Sequence, residues 1–335
     1  MLLLLASLAL ASPSDDLARW AASLPVAQAQ PDKTDGYRFM GPLFTSLAQR
    51  AVERPGVVTV ERIGESTAGH PIWAFHVDEP ASETTGEAAL VFAGIHALEW
   101  ISVEVAATLL VELIEHPVRG RRVTVIPVLN PDGRLKTESD LAAGDNTYRR
   151  GNGPNVDLNR DFAVHREVEP VWSRLLPKRY GTSPAPLSQP ESQALDGLLE
   201  REHYARAASL HAFGGYIYAP WSGRWRRPEA WPAHLALGRA MEAAQGDHAY
   251  RTRQLARWGF FFRARGTEVD HLHGEHGITA FLVELTRSGW DPRHPFRSTR
   301  DYFRWYNPVR PERHVDRGLA ALRVLVGRIK VDSDP

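Results

Sequence analysis

Four residues at the ends of apolar segments carry the chemistry this chain could perform. Ala88 to Ile95 is an apolar run of the buried-strand type, and it leads into Gly94-Ile95-His96-Ala97-Leu98-Glu99, which sets an imidazole and a carboxylate three residues apart on a tight connection. A second segment ends at Ser209-Leu210-His211, and a third, Phe281-Leu282-Val283-Glu284-Leu285, carries Glu284. The chain has no cysteine, so a metal would need imidazole and carboxylate ligands. Two imidazoles and one carboxylate leave a coordination position open to water, as catalytic zinc requires, and such a metal lowers the pKa of its water to about 7. A carboxylate in a low-dielectric setting, such as Glu284, suits the proton transfers of hydrolysis. Taken alone, a His-x-x-Glu pair is common, a strand-end His is more often a satisfied structural group, and Glu284 could simply face solvent.

The elements that would hold these residues alternate. After the strand at 88–95, Ile101 to His116 has helical periodicity, and Arg122 to Leu129 reads as another buried strand, stopped by Asn130-Pro131-Asp132-Gly133. Ser188 and Glu191, with Pro190 between them, predict a capping-box start for a helix through Arg201. Ala207 to Leu210 and Ile278 to Leu285 read as strands, and Pro311 to Lys330 as a closing amphipathic helix. The fold class expected is α/β: a single domain with a mostly parallel, mixed and twisted central sheet flanked by helices on both faces. Open α/β sheets bind ligands beyond the carboxyl ends of their strands, which is where the four residues fall.

Five segments, in this order, resemble the zinc carboxypeptidase family of the pancreatic carboxypeptidase type: Gly94 to Ile101, Leu129-Asn130-Pro131-Asp132-Gly133, Val156-Asp157-Leu158-Asn159-Arg160, Ser209-Leu210-His211 and Phe281 to Leu285. The resemblance runs from roughly Tyr37 to the C-terminus. It implies one zinc ion per chain on His96, Glu99 and His211, with Asp157 orienting a ligand imidazole. It further implies Glu284 as general base and acid, and Asn159 and Arg160 as the clamp on a free C-terminal carboxylate. An arginine after an aromatic residue would stabilise the oxyanion; Arg149 in Tyr148-Arg149-Arg150 is preferred, with Arg150 its close competitor. Where the family has a mobile tyrosine, 22 residues before the catalytic glutamate, this chain has Phe262; Val269, 15 residues before it, falls at the position that governs side-chain preference. An apolar Val269 would favour apolar C-terminal side chains, whereas a slip to the flanking Glu268 or Asp270 would favour Lys or Arg. Leu98 stands where many members have an arginine.

Residues 31–335 are expected to be the catalytic domain, residues 12–30 an N-terminal segment, and residues 1–11 a signal peptide. Met1 to Ala11 is apolar and too short to span a bilayer, and Ala9-Leu10-Ala11 has the small-x-small form of a cleavage site, although Lys and Arg are lacking. Export to the periplasm or outside the cell follows, with no transmembrane anchor. Forty Lys and Arg balance 40 Asp and Glu, so no global field draws the chain to nucleic acid. The expected partner is a peptide with a free C-terminal carboxylate, and the expected state a monomer. Trp221, Trp225 and Trp231 near Arg224, Arg226 and Arg227 read as a substrate-funnel rim, and His271, His273, Glu275 and His276 as solvated loop residues rather than a second metal site. Two other readings share these residues: a zinc amidase or endopeptidase acting on cell-wall murein peptides, and a non-catalytic peptide-binding module on the same fold.

Overall fold

A computed structural model describes residues 12–25, 34–80, 87–167, 183–257, 263–287 and 301–328. Its centre is one eight-stranded mixed sheet formed by β1 (Val58–Glu65), β2 (Pro71–Val77), β3 (Ala88–Phe92), β4 (Val123–Ile126), β5 (Tyr204–Ala212), β6 (Tyr216–Ala219), β7 (Arg251–Gln254) and β8 (Thr279–Leu285). The spatial order is β1-β2-β4-β3-β5-β8-β6-β7. The inner strands β4, β3, β5 and β8 run parallel, while β1, β2 and the β6–β8 pairing contribute antiparallel contacts. β3 and β4 are short and wholly apolar apart from Thr124, as strands covered on both faces must be.

One face is covered by α1 (Pro13–Ser23), α2 (Met40–Glu53), α3 (Trp100–Glu115), α6 (Trp231–Ala243) and α9 (Glu312–Leu325), with α4 (Pro131–Ala143) at its margin. Leu17 of α1 is fully buried in this layer, so α1 docks on the same core as the other helices of this face. The other face carries a smaller cluster under α5 (Pro190–Arg201) and α7 (Glu268–Gly274). α8 (Tyr302–Tyr306) precedes α9. Strand alternation divides the side chains between the layers. On β8, Phe281, Val283 and Leu285 enter the larger core and Ala280 and Leu282 the smaller, which leaves Glu284 on the smaller face at the carboxyl end. Each buried Leu or Val contributes about 1.5–3 kcal/mol, so this division strongly specifies the register.

Two local expectations are corrected. α5 does begin at Pro190, but its cap residue is Gln189, whose side chain makes no capping bond to the helix. The Ser188 hydroxyl instead donates to Asp161 Oδ1 (2.7 Å), and Glu191 accepts from Asn152 (3.1 Å), because both side chains tie the 152–161 loop to the helix. Residues 268–274 are helical rather than loop, with Thr267 as the cap accepting from Asp270 N.

Candidate active site

β3 ends in a turn at Gly94, whose φ is +65° and whose added Cβ would lie 3.1 Å from Val128 Cα, so only glycine turns the chain here so close to its neighbour. The turn delivers His96, and Glu99 follows as the residue that caps α3. Asn130, the residue that caps α4, holds this loop from below: its amide donates to Ile95 O and to Gly151 O, both at 3.1 Å, and so ties the His96 and Arg150 segments together. Asn307 holds it from the other side, donating to Leu98 O (2.8 Å) and accepting from Ile101 N (2.9 Å).

His211 arrives from β5, directly in register with Glu284 on β8. His96, Glu99 and His211 are almost completely buried, and one donor atom from each lies within 4.8 Å of the others. His96 Nδ1 is 2.9 Å from Glu99 Oε1 and 3.0 Å from His211 Nδ1, while His211 Nδ1 is 3.2 Å from Glu99 Oε2. The remaining ring nitrogens face outward. His96 Nε2 donates to Asp157 Oδ1 (3.1 Å) and His211 Nε2 to Glu268 Oε1 (2.8 Å). With both Nε2 atoms donating, both Nδ1 atoms face one spot and offer their lone pairs to a metal that displaces a ring proton, the arrangement of metal-ligating histidines oriented by carboxylates.

The electrostatics favour a cation at that spot. Burial opposes charge on His211, but the Glu268 and Glu99 carboxylates outweigh it and push its pKa up to about 10. Burial pushes the Glu284 carboxyl well above the usual carboxylate range; positive charge on His211 opposes this and the Glu99 carboxylate reinforces it. The cluster thus gathers more carboxylate than its own cations neutralise, and it holds protons in compensation. Two imidazole nitrogens and a carboxylate oxygen fit a borderline divalent ion such as zinc. Gly214 leaves room beside this centre, since a Cβ there would lie 2.9 Å from Glu284 Cβ. Glu284 Oε2 is enclosed and has no hydrogen-bond partner among the described residues.

Of the two candidate arginines, Arg150 lines the cluster and Arg149 does not. Arg150 Nε donates to Asp157 Oδ2 (2.8 Å), and its Nη1 is 3.6 Å from Glu99 Oε1. Arg149 turns away to Asp140, with Nη2 to Oδ1 at 2.9 Å. Neighbouring residues of an extended segment point to opposite sides, and nothing in Tyr148-Arg149-Arg150 announces the phase. Asp157 therefore joins His96 to Arg150. Asn159 and Arg160 follow it in a short 3-10 turn, both buried, with Asn159 Oδ1 accepting from Glu268 N (3.4 Å).

Val269 is fully buried in the smaller apolar cluster with Phe162 and Leu272, while Glu268 beside it reaches His211. Phe262 lies outside the described residues, as do residues 1–11. His271 is buried and His273 and His276 are half-buried: His271 and His276 both meet Asp196, and His273 bonds to Ile278 O. Sequence reasoning missed Glu268 as the partner of His211, and Asn130 and Asn307 as the loop's anchors.

The zinc carboxypeptidase family model matches residues 44–302, and the chain belongs to that family. Carboxypeptidase B of Helicoverpa zea is 28% identical over 287 residues, covering 78% of this chain and 65% of that protein. Murein peptide amidase A of Escherichia coli K12 is 34% identical over 171 residues, 49% of this chain and 62% of that one. Both matches thus span less than two thirds of the relative's length. Among solved structures, bovine thrombin-activatable fibrinolysis inhibitor in complex with tick carboxypeptidase inhibitor aligns with a TM-score of 0.72 at 20% identity, over 89% of this chain and 98% of that one, a likeness of fold. No helix among the described residues is long and apolar enough to cross a membrane.

Proposed function

We propose that this chain is an exported, monomeric zinc metallocarboxypeptidase that hydrolyses the C-terminal peptide bond of peptides. The observation that carries the reading is the convergence of His96 Nδ1, His211 Nδ1 and Glu99 on one spot beside the enclosed carboxyl of Glu284. Zinc held there supplies Lewis acidity that makes water a nucleophile near neutral pH. Glu284, whose proton affinity burial raises, takes the proton of the attacking water and delivers it to the leaving amide nitrogen. Arg150, rather than Arg149, faces the carbonyl oxygen as it gains negative charge. Asn159 and Arg160 bind the free carboxylate of the substrate, Arg160 with its two-pronged donor fork. Asp157 and Glu268 keep the two imidazoles in the tautomer that leaves Nδ1 free.

The amidase resemblance supports a second reading, hydrolysis of murein peptides at the same centre. One experiment separates them. Matched peptides ending in a free carboxylate or an amide, together with purified muropeptides, are incubated with the zinc-loaded protein and the products identified. The carboxypeptidase reading requires release of the last residue from the free acid and a loss of at least tenfold for the amide, the value of a charged hydrogen bond. Cleavage of muropeptides alone would overturn it in favour of the amidase.

A further inference from the structure

We propose that Asp196, His271 and His276 form a second binding site for a divalent transition metal, on the far end of the helix whose first residue holds His211. Asp196 projects from α5, His271 from α7, and His276 from the turn between α7 and β8. Asp196 Oδ1 lies 2.7 Å from His271 Nε2 and 3.1 Å from His276 Nε2, and one donor atom from each of the three residues falls within 4.8 Å of the others. The two rings meet edge to face at 5.2 Å. Donors around a tetrahedral ion with bonds of about 2.0–2.1 Å stand about 3.3 Å apart, so only a small spreading separates this cluster from a ligand set. The His96 cluster shows the same closeness, 2.9–3.2 Å between its donors.

His271 offers one ring nitrogen to this cluster. It is buried against Phe162, and its Nδ1 has no hydrogen-bond partner among the described residues. The atom available to a metal is Nε2, which faces Asp196. Two imidazoles and a carboxylate suit zinc, nickel, copper or cobalt rather than calcium or magnesium. Asp196 and His276 keep 17% exposure, which lets solvent complete the coordination shell. The ion would pin α7 to α5 across 75 residues of sequence, and α7 begins with Glu268, the partner of His211. The second site is thus a brace behind the first.

The test counts metal in protein stripped with chelator and reloaded with zinc or cobalt, by elemental analysis after gel filtration. Wild type is expected to hold two equivalents, His276→Gln one, and His96→Gln/Glu99→Gln one; combining all three substitutions leaves none. In the His96→Gln/Glu99→Gln protein, added metal should raise the thermal midpoint, and His276→Gln on that background should abolish the rise. His276 is partly exposed, and Asp196→Asn serves as a second route to the same loss. One equivalent in wild type that disappears in His96→Gln/Glu99→Gln would overturn the second site, as would an equivalent that survives both His276→Gln and Asp196→Asn on that background. Because that equivalent is counted with the first cluster disabled, failure of the second site is distinguishable from failure of the first.

Discussion

The contrast between Arg149 and Arg150 converts one geometric detail into a large kinetic difference. Arg150→Ala removes the guanidinium that sits 3.6 Å from Glu99 Oε1 and bonds to Asp157 at 2.8 Å, while Arg149→Ala removes one that pairs with Asp140. Loss of one oxyanion donor costs about 10²–10³ in kcat, roughly 3–4 kcal/mol. The side chains of Arg149 and Asp140 are 34% and 14% exposed, so breaking that pair costs about 1 kcal/mol of stability at most and leaves kcat near wild type. The assay is steady-state hydrolysis of a free-acid peptide by each variant at saturating zinc, with bound metal measured alongside, because Arg150 also steadies Asp157 and through it His96. The expected outcome is a fall of about 100-fold or more in kcat for Arg150→Ala at unchanged metal content, and a change of less than about threefold for Arg149→Ala. The reverse pattern would refute the placement of Arg150.

Other outcomes follow from the carboxylates and buried imidazoles. Asp157→Asn keeps the shape of the side chain but weakens both its bond to His96 and its hold on Arg150, so zinc affinity, measured by chelator competition, should fall about 10–100-fold; an unchanged affinity would contradict the orienting role. His234 is buried between His273 and Phe281, and burial lowers its pKa to about 4, so it is neutral in both folded and unfolded states above its unfolded value near 6.5 and contributes no pH dependence there. As pH falls from 6.5 toward 4, the unfolded chain takes a proton that the fold refuses, and stability drops by about 2 kcal/mol at pH 5. His234→Phe should remove that part of the loss in denaturant unfolding at pH 7 and pH 5, with His273, shifted the same way, still contributing in the same direction; an unaltered slope would assign the acid lability elsewhere.

The parts of the fold legible in the sequence were those with an unbroken apolar signal. β3, β4, β5 and β8 stand where the apolar runs predict them, and the strand-end positions of His96, His211 and Glu284 follow from that. Boundaries moved where side chains served the tertiary structure, as when Ser188 left its capping role for Asp161. α7 was hidden because four of its seven residues, Glu268, Asp270, His271 and His273, are charged or imidazole and it ends in glycine, yet Thr267-Glu268-Val269-Asp270 carries a capping pattern that could have exposed it. Long-range partners had no signal. Glu268 meets His211 across 57 residues and Asp196 meets His271 across 75, and no local periodicity reports either pairing.

Glu284→Gln tests most directly whether Glu284 moves the protons of hydrolysis beside a metal held by His96, Glu99 and His211. The substitution keeps the volume at Gly214 and leaves all three ligands in place. With metal content and free-acid peptide turnover measured on the same sample, the expected result is wild-type zinc at the His96 cluster and a kcat lower by about 10²–10⁴-fold. Turnover within a few-fold of wild type at full zinc loading would contradict the account.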